Sequence, residues 1–227
     1  MEYSYQETGH HWIKKFDPSK RMLSARAYRF FKRSFDLLIV VLTIPFWLPV
    51  FGVITLFIRL TSPGAPVIFV QQRTGRGGTR FPMYKFRSMV PNAEELKSSL
   101  VETNDNGELT GPLKLKNDPR ITPAGRILRK TSLDELPQLI NVLRGNMSLV
   151  GPRPTSWSPE SYKLWHTERL DVFPGITGLW QLFGRGGEDF DDWLRWDIRY
   201  LDRRSIWLDA MILWKTVTVI FTQKGAR

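Results

Sequence analysis

The chain has 227 residues, 42% hydrophobic, 24% charged and 13% aromatic, with 17 Gly and 15 Pro. That leaves room for one compact domain with an appendage and excludes collagen-like, low-complexity and wholly disordered classes. With no cysteine and only His10, His11 and His166, it excludes disulfide scaffolds, thiolate metal centres and a cysteine nucleophile, and argues against a His-built zinc site.

The net charge of +11 is unevenly placed. Residues 1–36 carry eight Lys/Arg against four Asp/Glu, and residues 37–93 carry six Lys/Arg and no acid, so +10 of the +11 lies in the first 93 residues. A polarised excess of this kind points to a polyanion: nucleic acid, an anionic membrane surface or a phosphorylated ligand.

Residues 1–23 are polar and without periodicity, which predicts a loose extension. A helix is expected from about Ser24, with Tyr28, Phe31 and Phe35 at helical spacing, running into 22 uncharged residues from Leu37 to Ile58. As one straight helix those 22 residues would be ~33 Å long, enough for a ~30 Å hydrocarbon core. Pro45 and Pro49 predict a bend in it, with Thr43 placed to satisfy freed carbonyls. Basic residues flank both ends: Arg26, Arg29, Lys32 and Arg33 before, and Arg59, Arg73, Arg76 and Arg80 after. The positive-inside rule would keep both flanks in the cytoplasm, which a re-entrant hairpin allows and a single span does not. Charge alone leaves re-entrant and kinked-spanning geometries evenly matched.

Domain limits follow: an extension over 1–23, a basic helix plus membrane helix over 24–60, and a globular domain over 61–227. In the last, Val67–Gln71 and Arg80–Met89 read as short strands around a Gly-rich turn. Helices are expected from Asn92 to about Thr103, at Pro123–Leu128, Leu133–Leu143, Pro159–Glu168, Phe190–Leu201 and Ile206–Phe221, with a turn-rich loop at Asn104–Pro119. The fold class is α/β in the α+β sense, helix-rich, with no βαβ series of the Rossmann kind. Seven of nine Trp follow residue 156. With the Ser205–Gln223 helix, interrupted by Asp209 and Lys215, they suit a lipid–water boundary as well as ordinary core packing.

The densest chemistry is LRKTSLDELPQLINVLRGNMSLVGPRP, Leu128–Pro154. Asp134 and Glu135 are adjacent acids at an expected helix start, where an anion is favoured and a phosphate can bind free N–H groups. Ser132-x-x-Glu135 also fits a capping box, which would explain Glu135 without catalysis. A carboxylate attacks phosphorus only when the electrophile's charge is neutralised by a divalent cation, Arg or Lys. Lys85 with Arg87, Arg129 with Lys130, and Arg153 within Pro152-Arg153-Pro154 supply cations, and the acid pair suits Mg²⁺.

At KRSFDLL (32–38), QQRTGRGG (71–78), MYKFRSM (83–89), NDPRITPAGRILRKTSLDELPQLINVLRGNMSLVGPRP (117–154) and PGITGLWQLFGR (174–185), the sequence resembles the bacterial sugar transferases, the monotopic polyprenol-phosphate phosphoglycosyl transferases. The resemblance spans about residues 29–220. It implies transfer of a sugar 1-phosphate from a UDP-sugar to polyprenyl phosphate with release of UMP, on the cytoplasmic face of the bacterial inner membrane. It further implies Asp134 as nucleophile and Glu135 as its partner, both near Mg²⁺. Lys85, Arg87 and Arg129 would lie on phosphates, Pro152, Arg153 and Pro154 at the uridine end, and Arg185 near the active site. Its membrane helix is re-entrant. The partners it implies are UDP-sugar, polyprenyl phosphate and a lipid bilayer; nucleic acid is not expected, and a homo-oligomer is left open. Two positions depart from the family pattern: Ile44-Pro45 stands where Ser-Pro is usual, and Phe183 precedes Gly184-Arg185. Larger members carry additional N-terminal membrane helices, for which this sequence has no room. A non-catalytic module binding nucleotide sugar or polyprenyl phosphate is the alternative, and it would not need the acid pair.

Overall fold

A computed structural model describes residues 25–100, 118–162, 164–183 and 190–222. The expected extension over 1–23, most of the Asn104–Pro119 loop, and Arg185 lie outside them. The chain forms two compact units: Met1–Ile44, Gln71–Met83 and Gln138–Ala226 contribute to one, Pro45–Val70 and Tyr84–Pro137 to the other.

The first unit is built on α1 (Ala25–Leu42), a helix with its usual polarity inverted. Lys32, Asp36 and Val40, one turn apart, are buried, whereas Phe30, Phe31, Leu38, Val41 and Leu42 are exposed. A soluble helix turns its charges outward; this one turns an ion pair inward. Lys32 Nζ lies 2.7 Å from Asp36 Oδ1 and 3.2 Å from Asp209 Oδ2. Asp209 belongs to α8 (Ile206–Thr222), so the interruption seen in the sequence is a buried polar contact and not a polar face. Tyr200 Oη donates to Asp209 Oδ1 (2.8 Å), Tyr28 Oη to Asp209 Oδ2 (3.4 Å) and Ser148 Oγ to Asp36 Oδ2 (2.7 Å). Burial pushes the Asp209 carboxyl up to about 6, against the opposing pull of Lys32 and the Tyr200 hydrogen bond.

Beneath α1 lie α5 (Gln138–Arg144) and two short parallel strands, β3 (Ser148–Val150) and β4 (Gly175–Thr177), paired Ser148 to Gly175 and Val150 to Thr177. Arg33 donates to Val142 O (2.6 Å) and Leu143 O (3.2 Å), supplying a cation and donors to the last carbonyls of α5. Then come α6 (Leu179–Phe183) and α7 (Phe190–Arg203). Leu179, Leu194, Leu208 and Ile212 close the core with Val142, Met147 and Val150. The opposite face of α8 leaves Trp207 and Trp214 about three-quarters exposed, seven residues apart on one stripe. The later tryptophans divide accordingly: Trp196 is buried, Trp180 and Trp193 stack at 4.9 Å, and the two on α8 face outward.

The second unit carries α2 (Ile44–Thr61), the one described helix long and apolar enough to cross a bilayer. The helix break falls at Thr43, just before Pro45, and Thr43 Oγ1 donates to Ile39 O (2.7 Å) and Val40 O (3.2 Å). Pro45 sits in the first turn of α2, where a missing N–H has no partner to lose. Pro49 does not end the helix but lies within it. Ile54 and Ile58 of α2 pack with Phe86, Leu128, Phe51, Val67, Ile68, Leu133 and Leu136. Phe46, Val53 and Leu60 on the same helix are more than two-thirds exposed.

A hairpin of β1 (Ile68–Thr74) and β2 (Arg80–Phe86) has its turn end in the first unit and its open end in the second. Its turn takes Gly77 and Gly78 at φ of 63° and 76°, values that favour glycine. In the second unit, α3 (Ala93–Leu100) and α4 (Pro123–Thr131) follow. The start of α4 is fixed locally: Thr122 Oγ1 accepts from Gly125 N at 2.9 Å, and Pro123 takes the first helical position.

Two expected helices are not single α-helices. Leu133–Leu143 divides into a single 3₁₀ turn, Leu133–Glu135, and α5, because Pro137 cannot continue the first. Pro159–Glu168 is two pieces of 3₁₀ helix, Pro159–Ser161 and Leu164–Asp171. The pair β3–β4, too short for an alternation signal, was not anticipated.

Lys32→Met leaves two buried carboxylates without their cation, so a loss of about 3–5 kcal/mol is expected, read as a lower unfolding midpoint of detergent-solubilised protein. A second outcome concerns pH. The Asp209 carboxyl titrates near 6 in the fold and near 4 in an unfolded chain, so the native state binds more protons between those values. Stability from this group therefore falls as pH rises from about 4 through about 6 and is flat above. Melting curves of the wild type and Asp209→Asn should diverge over that window, with the wild type losing ground.

Candidate active site

The acid pair owes its presentation to the turn that follows α4. Ser132, the residue that closes α4, adopts φ 57°, ψ 16°, the only non-glycine residue at positive φ among those described. A serine there is strained, and such strain persists only where surroundings impose it. Here Leu133 and Leu136 pack onto the α2–Phe86 cluster, and Pro137 follows. Between two anchored leucines, Asp134 and Glu135 fall on a 3₁₀ turn and are half-buried.

The structure removes one explanation of Glu135. Ser132 makes no side-chain capping bond at this turn, so the capping box does not form. The turn is also too short to supply a helix dipole, and binding of phosphate at a helix N-terminus is not supported at this position. What the structure offers instead is a side-chain cation: Lys85 Nζ, from β2, lies 3.3 Å from Glu135 Oε1, both side chains less than a fifth exposed.

Arg129 lies in the last turn of α4, on the exposed side. Its Nε donates to Ser88 Oγ at 2.9 Å, which fixes the guanidinium plane. Arg87 behaves differently. It is 7% exposed, its Nη2 donates to Ser62 O just past the end of α2, and its Nε and Nη1 are buried without a hydrogen-bond partner. Burial lowers its pKa from the usual arginine range. Two buried donors of a guanidinium are costly to leave unmade, so Arg87 retains capacity for an anionic acceptor.

Other residues support this site without having been singled out in the sequence. Asp118 and Arg120 form a buried bidentate pair, Nε to Oδ1 at 2.9 Å and Nη2 to Oδ2 at 2.7 Å. The Arg120 hydrogen bonds hold the Asp118 carboxyl below the usual range, against its own desolvation. Ser88 accepts from Arg129 through its hydroxyl and from Thr122 N through its carbonyl (3.1 Å). Gly125 lets α4 approach that carbonyl: a Cβ there would lie 1.9 Å from Ser88 O. Only the NDPR string, as part of a long motif, hinted at any of this.

Among the described residues no group of three or more His, Asp or Glu side chains is placed to hold a metal ion. The remaining predicted residues, Pro152, Arg153 and Pro154, belong to the first unit. Both prolines are buried and Arg153 is half-buried, with its carbonyl accepting from Arg169 Nη2 at 2.5 Å. Arg185 lies outside the described residues.

Gly125→Ala should force α4 away from Ser88 and so release Arg129. A loss of about 1–3 kcal/mol is expected from such overpacking, measurable as a lowered thermal midpoint, whereas Gly77→Ala, with open space around its Cβ, tests the separate effect of positive φ.

Comparison with known proteins follows the same residues. A family model described as bacterial sugar transferase matches residues 27–223. The chain is 45% identical over 211 residues to the undecaprenyl-phosphate galactose phosphotransferase of Salmonella typhimurium, covering 90% of this chain and 43% of that protein. It is 38% identical over 211 residues to the UDP-glucose:undecaprenyl-phosphate glucose-1-phosphate transferase of Escherichia coli K12, covering 87% and 42%. It is 36% identical over 198 residues to the exopolysaccharide production protein ExoY of Rhizobium meliloti, covering 86% and 87%. The chain thus spans less than half the length of the first two and most of the length of ExoY.

Proposed function

This chain belongs to the bacterial sugar transferase family, and we propose that it moves a sugar 1-phosphate from a UDP-sugar to polyprenyl phosphate. The observation that carries the proposal is the Asp134–Glu135 turn, with Lys85 on one carboxylate and Arg129 anchored in the preceding helix. The names of the Salmonella and Escherichia relatives agree in the acceptor, undecaprenyl phosphate, and differ in the sugar, galactose in one and glucose in the other.

Asp134 is the nucleophile. Its carboxylate oxygen bonds to the β-phosphorus, the bond from that phosphorus to the bridging oxygen breaks, and UMP leaves with the electron pair. The phosphosugar is then an acyl phosphate on Asp134. In the second half-reaction an oxygen of the lipid phosphate attacks the same phosphorus and returns the Asp134 carboxylate, giving a lipid diphosphosugar. Lys85 pairs with Glu135 and supplies positive charge; Arg129 offers a guanidinium of fixed plane to phosphate oxygens. Pro152, Arg153, Pro154 and Arg185 are assigned to the donor nucleotide.

The two adjacent carboxylates fit a Mg²⁺ ion, which takes one or two protein oxygens and completes its shell with phosphates and water. When bound, such an ion would draw charge from the diphosphate.

The acceptor reaches the site from a membrane. Apolar side chains cover the outer face of α1 and much of α2, while α1 keeps its ion pair inside. That arrangement suits lipid and not water. With basic residues on both sides, α2 is proposed to enter the cytoplasmic face of the inner membrane and return on the same side.

The test is nucleotide release by solubilised protein given Mg²⁺, undecaprenyl phosphate and a panel of UDP-sugars. UMP is the expected product, and UDP would mean plain glycosyl transfer without an aspartyl intermediate. Asp134→Asn should lower turnover by about 10³-fold or more while the protein remains folded and membrane-bound. Without acceptor, UDP-sugar labelled in its β-phosphate should label the wild-type chain and not Asp134→Asn. Binding of UDP-sugar with no nucleotide released by any member of the panel would favour a non-catalytic binding module.

A further inference from the structure

Residues Pro152–Trp157 of the first unit are held in an unusual way. Pro152 and Pro154 have no N–H, and Gly151 and Arg153, each preceding a proline, are biased toward extended backbone. Its first part, Pro152–Pro154, therefore stays extended but has few donors with which to hold itself to a neighbour. The segment's carbonyls do the holding, and all six have a donor. Gly175 N donates to Pro152 O (2.8 Å), Arg169 Nη2 to Arg153 O (2.5 Å) and Arg73 Nη1, at longer range, to Pro154 O (3.4 Å). Thr74 N donates to Thr155 O (3.0 Å) and Arg80 Nη1 to Ser156 O (3.2 Å) and Trp157 O (2.9 Å).

Arg80 is the hub. The same Nη1 reaches Thr74 Oγ1 at 2.7 Å, Thr74 Oγ1 donates in turn to Trp157 O at 2.5 Å, and Arg80 Nη2 donates to Gln72 O at 3.2 Å. One guanidinium thus ties the backbone of β1, a threonine hydroxyl and two carbonyls of the segment, which the five-donor fork of arginine does in full and the three donors of a lysine only in part. At the other end Arg169, gripping Arg153 O, is itself 2.8 Å from the buried Asp197 of α7. Arg73 and Arg80, counted among the cations flanking the apolar segment, are turned onto backbone oxygens.

We infer that Arg80, with Thr74 and Arg169, is a positioning residue: Arg80 and Thr74 fix the Thr155–Trp157 backbone, Arg169 fixes the Arg153 carbonyl, and between these two holds the direction of the Arg153 side chain is set. This rests on the proposed assignment of that segment to the donor nucleotide. None of the three is given contact with substrate. Their effect is on the pre-organisation of Arg153, so it appears in donor binding and not in the chemical step.

The experiment compares wild type, Arg80→Met, Arg80→Lys and Thr74→Val, each as full chain in lipid nanodiscs. Amide hydrogen exchange over Thr155–Ser158 should accelerate in Arg80→Met and Thr74→Val. The KM for UDP-sugar should rise about tenfold in Arg80→Met, with kcat and the KM for polyprenyl phosphate within about twofold. Arg80→Lys should recover part of the loss. Unchanged exchange over the segment overturns the inference. So does a fall in kcat with donor KM unchanged, or a lysine variant no better than methionine. If Arg80→Met fails to fold, Thr74→Val decides alone. A folded wild-type protein that releases no UMP defeats the functional proposal, and exchange then still decides whether Arg80 fixes the segment.

Discussion

A lysine ammonium buried between two carboxylates organises the first unit. Lys32, Asp36 and Asp209 bring α1 and α8 together through charges that each helix would otherwise turn to solvent, and Tyr28, Tyr200 and Ser148 complete their hydrogen bonds. Breaking such a set is far more damaging than its net contribution suggests, since any remaining charge is stranded in a medium of low polarity. Two consequences follow. The apolar side chains of α1, displaced from the interior, are left facing outward with Trp207 and Trp214 of α8. And β3, which carries Ser148, is tied to the same set just before the chain enters Gly151-Pro152-Arg153-Pro154. The polar interior and the apolar exterior are therefore one feature: the charges that occupy the inner face of α1 leave its apolar side chains on the outer one.

The second unit places its chemistry by a different constraint. Leu133 and Leu136 are fixed in the cluster around Phe86, Ile54 and Ile58, and the two residues between them are the acids. Hydrophobic anchoring on both sides of the acids, after a strained Ser132, gives the pair little freedom, and the nucleophilic role proposed for Asp134 depends on such restraint. The side chains at the base of this arrangement are small or polar by necessity: Gly125 for close approach to Ser88, and Ser88 as acceptor for Arg129.

Much of the local structure was legible because its causes are local. Thr122-Pro123 starts α4, the Gly-rich stretch turns the hairpin, and long apolar periodicity marks α1, α2, α7 and α8. The errors also have identifiable causes. Pro137 was absorbed into an expected helix though it must end one. The capping pattern at Ser132-x-x-Glu135 was sound as a pattern, but a left-handed Ser132 cannot place its hydroxyl for the role. Strands of three residues such as β3 and β4 carry no periodicity, and their parallel pairing joins segments far apart in the chain. The partners of Asp118, Ser88 and Arg80 were invisible for a related reason: each contact is made by residue types that are common on any surface.

By itself the sequence determined the family, the order of the motifs, the apolar run with its cationic flanks and the identity of the acid pair, because motif spacing and composition survive without coordinates. Only the tertiary structure decided how the charges are used. It placed Lys32 inside and Phe30 outside, set Lys85 on Glu135, denied Ser132 its capping bond and turned Arg73, Arg80 and Arg169 onto the carbonyls of Pro152–Trp157. A charge has the same formal value wherever it stands in a sequence; its energy and its role depend on burial and on what lies within hydrogen-bond reach, and those are properties of the fold.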